Sequence, residues 1–469
     1  MKNTKILATI SDKNCSVEFI QKLFNKGMNG IRINTAHQDI EGAIKVITNV
    51  RKVSDRISIL IDTKGPEIRT IIKDEPINVK KKDIITIKPF VKDCDENSFS
   101  TTYSKLYTNV KKNNLIMIDD GHLELKVKDI INQNIICEVM NEGEIKGKKT
   151  MNFPEVETKL PALTKKDIEF IHFSIKHDID FIAHSFVRNK HDIIEIQKIL
   201  DKHKSKIKII AKIENHEGVE NIDEILENVY GIMIARGDLA VEIPAEKIPI
   251  IQKDLIKKCM EQKKIVITAT QMLHSMIENP RPTRAEISDV ANAICDGTDT
   301  VMLSGETAQG KHPEEAVEIM TKVAKEVEKN KISIKGLHVI KIKDEIAAFL
   351  ASSAIDATNK LPIKAIICDT LTGRTARYLS SFRGLIPIFV ECYDKRVMRE
   401  LSLSYGIRAE YMEQIEIMPG KFIQKALKPL LKNKLVHKND LVLILAGSFG
   451  ATHGASFIEI SKVKEMIIE

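Results

Sequence analysis

The chain has 469 residues, 43% of them hydrophobic and 29% charged, with a formal net charge of +7. That length is too great for one core and calls for two or three domains, and the composition is that of an ordinary soluble globular protein. Scarce aromatics and no tryptophan argue against a base-stacking nucleic-acid platform, while scattered lysines suit a modest pull on small polyanions such as nucleotides. Seven cysteines (Cys15, Cys94, Cys137, Cys259, Cys295, Cys368, Cys392) are widely spaced and form no C-x-x-C pair. They read as buried free thiols of a reducing compartment rather than a disulfide frame or a zinc site. With no apolar leader core and no run of 18 apolar residues, the expected location is cytoplasmic, with no membrane partner and no nucleic acid.

In chain order, short apolar runs alternate with amphipathic helical stretches over most of residues 1–330, the pattern of parallel α/β structure. The predicted strands are Ile6–Ile10, Gly30–Asn34, Ser58–Lys64, Asp180–Phe186, Lys208–Glu214, Gly231–Asp238, Ile265–Gln271 and Asp299–Glu306. Eight is the number that closes a (β/α)8 TIM barrel. Each run ends in polar or charged residues: Thr9, Arg32 with Asn34, Asp62 with Lys64, Ser185, Lys212, Asp238, Thr270, and Ser304 with Glu306. Barrel chemistry sits at C-terminal strand ends, so polar groups gathered there point to function rather than stability.

The spacing breaks once. After IDTKGPEIRT, residues 71–154 lack helical periodicity and read as short, Lys-rich alternating strands such as INVKKKDIITIKPF. An insertion of this kind predicts a small β-barrel domain over the barrel mouth, able to close as a lid. The barrel itself is assigned to 1–70 and 155–343, with the helix Glu314–Lys329 closing it and a Lys/Ile linker, Lys331–Lys343, leading out. Residues 344–469 form another α/β unit: helix Asp344–Asn359, strand Ala365–Asp369, helix Thr375–Phe382, strand Pro387–Glu391, helices Lys395–Leu403 and Lys421–Leu431, strand Leu441–Ala446 and a last strand near Phe457. It is too short for another barrel and fits an open doubly wound sheet.

The densest chemistry lies in Ile209–Asp238, where IIAKIE and GIMIARGD each end in a charged pair. Side chains two apart on a strand share a side, which places Lys212 with Glu214 and Arg236 with Asp238. Two acids and two bases on one buried sheet are costly without partners. A divalent metal and a phosphorylated anion at the strand ends would supply them. Glu214 and Asp238, from adjacent strands, suit Mg²⁺ (or Mn²⁺), and Lys212 would face a transferring phosphoryl group. A structural strand-end ion pair is the plain alternative for Lys212 and Glu214 taken alone.

A further anion site is suggested where strand Ala365–Asp369 runs through Thr370, Leu371, Thr372, Gly373, Arg374 and Thr375 into a helix. Hydroxyls, amides and one Arg at a helix N-terminus suit a phosphate, although a plain N-cap turn explains the loop equally well. A second Gly-rich turn, AGSFGATHGA, follows strand Leu441–Ala446 and could face the same crevice.

On these residues the chain resembles the pyruvate kinase family. ARGDLAVEIP and KIENHEGVEN resemble that family's metal and phosphoenolpyruvate segments, IDTKGPEIRT its third strand, and TATQMLHSM with PTRAEISDVANAICDGTDTVMLSGETA its seventh and eighth. The likeness keeps order and spacing over nearly the whole chain. It implies phosphoryl transfer from phosphoenolpyruvate to ADP, giving pyruvate and ATP, and a homotetramer.

The resemblance also implies roles. Lys212 is the main catalytic cation, Glu214 and Asp238 hold the divalent metal, and the amides of Ala235, Arg236, Gly237 and Asp238 bind the substrate carboxylate. Thr270 completes that pocket and joins the proton route to the enolate, supported by Ser304 and Glu306. Arg32 and Arg69 hold phosphates; Asn34, Arg69 and Lys149 are placed at the nucleotide. Asn34, Asp62 and Thr63 match a K⁺ site, and Glu67 matches the acidic form tied to K⁺ dependence. The chain departs at Ala36, where a Ser hydroxyl ligand is usual. In similar enzymes the C-terminal loop takes an activating phosphorylated sugar, which implies an effector site at Thr370, Thr372, Gly373, Arg374 and Thr375.

Plainer readings stand beside these. Thr270 could be a β-branched core residue, Arg32 a surface cation, and Ser304 a helix N-cap with Glu306 beside the helix dipole. Met272 and Met302 read as core filler, and His274 as structural. Two other function classes remain open: a Mg²⁺-dependent lyase that stabilises an enolate, which needs no nucleotide lid, and a non-catalytic metabolite-binding regulator.

Overall fold

The computed structural model describes residues 2–73, 75–154, 156–330, 345–413, 419–447 and 455–467. The predicted linker Lys331–Lys343 and most of the second Gly-rich turn lie outside the described residues. Eight parallel strands close a barrel: Lys5–Thr9, Gly30–Asn34, Ser58–Asp62, Phe181–His184, Lys208–Ile213, Gly231–Ala235, Ile265–Ala269 and Thr300–Leu303. The closing seam pairs Lys5 with Thr300. Both faces of such a sheet are covered, which is why the runs are continuously apolar rather than alternating. Leu7, Leu60, Phe181, Ile210, Met233 and Ile267 fill the interior. Ile6, Ile31, Ile59 and Ile182 face outward under the helices.

Local signals set the helix ends. Thr164 and Asp167 form a capping box for Lys165–Lys176, and Thr283 with Glu286 does the same for Arg284–Asp296. Gly297 stops the latter helix at φ 101°, a conformation that strains any residue with a Cβ.

The inserted domain is a closed seven-stranded barrel with a core that includes Ile85, Ile87, Phe99 and Ile116. Its incoming strand Ile68–Ile71 pairs antiparallel with its outgoing strand Thr150–Asn152, Arg69 opposite Thr150. The chain therefore leaves and rejoins the large barrel at neighbouring points. At the tip of a hairpin, Asp119, Asp120 and Gly121 are successively left-handed at φ 57°, 55° and 84°.

The C-terminal sheet has the order Ile407–Tyr411, Ile388–Cys392, Ile363–Thr370, Leu441–Ala446, Phe457–Lys462. Four strands are parallel and the last is antiparallel, with an apolar core on each face. The sheet thus contains a strand, Ile407–Tyr411, that the sequence pattern did not reveal. It is an edge strand, IRAEY, with only its first residue fully buried.

This unit seals the N-terminal end of the large barrel. Leu403 belongs to the barrel's interior cluster, and Arg383 meets Asp299 at 2.7 Å with both side chains buried. Arg399 and Arg51 converge on buried Asp180 at 2.6 and 3.2 Å. Among the described residues, no helix is long and apolar enough to cross a membrane.

Candidate active site

Lys212 stands at the centre of the opposite, C-terminal face. Its Nζ is 2.7 Å from Ser185 Oγ, 2.9 Å from Glu214 Oε1 and 3.1 Å from Asp62 Oδ1. Strand parity therefore placed Lys212 and Glu214 correctly, and two neighbouring strand ends supply the rest. Burial alone would pull the ammonium pKa down, but Asp62 and Glu214 outweigh it and hold the group firmly charged. Asp62 also takes Arg32 Nε at 2.6 Å. Burial opposes ionisation of Asp62, and Lys212 with Arg32 overcomes it, so this carboxyl stays below its usual range.

Glu214 behaves differently. Burial raises its carboxyl against the pull of Lys212, and Asp238 raises it further. Its second oxygen accepts from the Phe186 amide at 2.7 Å. Asp238 is also raised, by burial first and then by repulsion, including that from Asp120 at the lid's hairpin tip. Both carboxyls are thus pushed up by burial and by neighbouring carboxylates, against the pull of Lys212.

The expectation for Arg236 was wrong in direction. The strand stops at Ala235, and residues Arg236–Glu242 are a short helix, so alternation no longer sets which way a side chain points. Arg236 turns away from the site to Asp289 at 2.7 Å and to the carbonyls of Ala269 and Thr270 at 3.2 and 2.7 Å. It braces the neighbouring turn. Asp238 reaches Lys212's surroundings from that helix, not from a strand.

Thr270 also lies beyond its strand, which ends at Ala269. It sits at φ 63°, followed by Gln271 at 55°, a costly conformation for a β-branched residue. Its hydroxyl accepts from the Gly237 amide at 2.8 Å and donates to the Ala269 carbonyl at 2.7 Å. Thr270 is therefore not core filler: its side chain is half-buried and bridges two backbone groups. Met272 and Met302 are buried core, as expected.

Glu306 likewise falls in a helix, Gly305–Ala308. Its carboxylate accepts from the amides of Ser304 and Leu273 at 2.7 and 3.1 Å, tying together the ends of two strands. Ser304 occupies the N-cap position but makes no side-chain cap bond.

Asn34 and Asp62 are register partners on adjacent strands. Asn34 Oδ1 accepts from the Ala36 amide at 3.1 Å, and the Thr63 hydroxyl lies between the Ala183 carbonyl and the Ser185 amide. In the lid, Arg69 pairs with Glu67 and Lys149 with Asp119. Glu67 stands just before the lid's incoming strand and Asp119 at its hairpin tip, so these two cations are held at the lid rather than at Lys212. In the C-terminal loop the Thr370 hydroxyl accepts from the amide of Gly373, itself at φ 77°, and helix Arg374–Ser381 follows.

A cleft of about 400 Å³ separates lid and barrel, with Glu67, Asp120, Asn152, Glu217, Asp238 and Glu242 among its lining. Asp120, Ser185 and Glu242 were not singled out as site residues. Ser185 was visible as a polar strand end, but nothing local to Asp120 or Glu242 marks them.

Fold and site together define a lidded (β/α)8-barrel enzyme whose strand ends are built around one buried ammonium and an excess of carboxylates. Comparison with known proteins narrows this. A family model described as pyruvate kinase, barrel domain, matches residues 1–317, and one described as pyruvate kinase, alpha/beta domain, matches 348–461. The pyruvate kinase of Borreliella burgdorferi is 46% identical over 472 residues, covering 99% of this chain and 98% of that protein. That of Staphylococcus aureus is 42% identical, covering 95% of this chain and 78% of that one. A crystal structure of a pyruvate kinase from Cryptosporidium parvum superposes with a TM-score of 0.93 at 35% identity, over 98% and 96% of the two chains. The chain belongs to the pyruvate kinase family, and its activity is that of a pyruvate kinase.

Proposed function

We propose that the site transfers the phosphoryl group of phosphoenolpyruvate to ADP through the following residues. Lys212 and Arg32 steady the phosphoryl group in flight, since such transfers need positioning and charge cancellation more than covalent help. The observation that carries this reading is Lys212 Nζ, buried and charged, within 3.1 Å of Asp62, Glu214 and Ser185. Glu214 and Asp238 hold Mg²⁺ or Mn²⁺, which when bound neutralises charge on the phosphoryl and enolate oxygens. The donor set fits: both carboxyls are raised by burial and repulsion. Among the described residues no group of three or more His, Cys, Asp or Glu side chains is arranged for a metal. Two carboxylates are the hard oxygen donors that Mg²⁺ would take here.

The amides of Ala235, Arg236, Gly237 and Asp238 take the substrate carboxylate, and Thr270, bonded to the Gly237 amide, closes that pocket and passes a proton to the enolate. Ser304 and Glu306 hold the backbone behind it. Asn34, Arg69 and Lys149 meet the nucleotide, the last two carried by the lid. Asn34, Asp62 and Thr63 offer only oxygen ligands, which suits K⁺, and Ala36 leaves the set one hydroxyl short. The C-terminal loop Thr370, Thr372, Gly373, Arg374 and Thr375 takes a sugar phosphate as activator. The working form is a cytoplasmic homotetramer.

A coupled assay of ATP formation with ADP and phosphoenolpyruvate, run with Mg²⁺ and K⁺ each withheld in turn, tests the reading. Activity that survives loss of the divalent ion would overturn the metal assignment. Phosphoenolpyruvate consumed without ADP would favour a lyase.

A further inference from the structure

The helix Arg236–Glu242 carries Asp238 and the proposed carboxylate-binding amides at one end. The lid rests on its other end. At the hairpin tip, a Cβ added to Gly121 would lie 3.9 Å from Val241 Cγ1, so the tip's backbone lies over the Val241 side chain. One residue on, Glu242 Oε2 accepts from the His216 amide at 3.3 Å. Asn152 lines the cleft together with Glu242, and its side-chain amide favours the ionised carboxylate.

Those partners come from two places. His216 starts the helix His216–Glu220, two residues after Glu214. Asn152 ends the strand Thr150–Asn152 by which the lid rejoins the barrel. Glu242 is therefore a junction between the lid's hinge strand, the end of the Lys212 strand and the helix that presents Asp238. It also lines the cleft between lid and barrel. Partial burial there raises its carboxyl to about 7, with the His216 amide and Asn152 opposing.

We propose that Glu242 is the barrel-side latch of the lid, a positioning residue that seats helix Arg236–Glu242 only when the lid is docked. Lid closure and readiness of the substrate pocket are then one event, carried by a seven-residue helix that is too short to sit firmly without contacts at both ends. The second half of this inference rests on the roles proposed above for Asp238 and the neighbouring amides.

The test uses the full-length protein with Glu242→Ala, Glu242→Gln and Asn152→Ala, plus the Glu242→Ala/Asn152→Ala double variant. Limited trypsin digestion of the Lys-rich lid reads docking, and steady-state kinetics read the pocket. Glu242→Ala and Asn152→Ala should each speed lid cleavage several-fold. Each should raise KM for phosphoenolpyruvate by about tenfold, the scale of a lost charge-assisted hydrogen bond, with kcat changed far less. The double variant should be little worse than either single one, and Glu242→Gln, which keeps an acceptor, should recover most of the loss.

Wild-type lid cleavage in both single variants would overturn the latch, and a loosened lid with an unmoved KM would overturn the coupling. Asn152→Ala leaves the barrel intact and carries the test should Glu242→Ala fail to fold. The roles on which the coupling rests are checked separately. Asp238→Asn with undiminished Mn²⁺ affinity would refute them, a readout independent of lid cleavage.

Discussion

Replacing Lys212 by Met keeps the length of the side chain and removes its charge. Two costs follow and they can be separated. In the transition state the variant lacks a preorganised cation, an effect of about 3–4 kcal/mol, or roughly 10²–10³-fold in kcat. In the resting fold, the ammonium no longer balances Asp62 and Glu214 at 3.1 and 2.9 Å. Breaking a buried pair commonly costs about 3–5 kcal/mol. Here the figure should fall at the low end: Asp62 keeps Arg32 at 2.6 Å, and Glu214, already raised by burial, relaxes by taking up a proton.

Lactate-dehydrogenase-coupled turnover measures the first cost and calorimetric Tm the second. KM for phosphoenolpyruvate should move little, because Arg32 and the amides still hold the anion. A folded Lys212→Met enzyme with kcat within about threefold of wild type would refute the reasoning. So would a loss of activity wholly explained by the unfolded fraction.

Ala36→Ser should tighten activation by K⁺, read as a lower half-saturating concentration; an unchanged K⁺ curve would show that Ala36 lies outside the cation's reach. Excising residues 68–152 and joining the neighbouring chain ends should leave a folded barrel, because the incoming and outgoing strands are paired. Mn²⁺ binding should persist and ADP-dependent turnover should vanish. In the C-terminal sheet Glu391 stands between register partners Asp369 and Glu410. Burial, then Glu410, raises its carboxyl from 4.5 to about 8. A raised acid means the folded state binds the proton more tightly. Its stabilisation is complete below the unfolded value and is lost as pH climbs from about 4.5 to about 8, with no further loss above. Hydrogen-exchange protection of this sheet should fall over that window in the wild type and fall less in Glu391→Gln, where the raised carboxyls of Asp369 and Glu410 remain. Thr372→Glu should abolish activation by sugar phosphates through like-charge repulsion while sparing the basal rate, measured at subsaturating phosphoenolpyruvate.

The barrel was legible because its signal is local. Eight apolar runs separated by helical periodicity need no tertiary knowledge, and burial on both faces makes each run unmistakable. The lid was legible as a break in that rhythm. The edge strand Ile407–Tyr411 was not, since half-exposed residues at a sheet edge carry little pattern. The strand ends were drawn too long for a related reason. The polar residues that follow Ala235 and Ala269 were counted into their strands, but the ladder stops where the backbone turns to a helix at Arg236 or to positive φ at Thr270.

What the sequence determined by itself was therefore the order of elements, the end of the barrel that carries polar groups, and the pairing of Lys212 with Glu214, all of them consequences of short-range periodicity. Only the closed barrel decided what else surrounds Lys212. Asp62 and Ser185 come from strands 150 and 27 residues earlier in the chain. Arg236 was sent outward to Asp289, and the lid brought Asp120 and Asn152 to the helix of Asp238 and Glu242. Alternation dictates which face a side chain takes while the backbone remains a strand. Which distant groups meet there is set by closure of the sheet, and that is a property of all its strands at once.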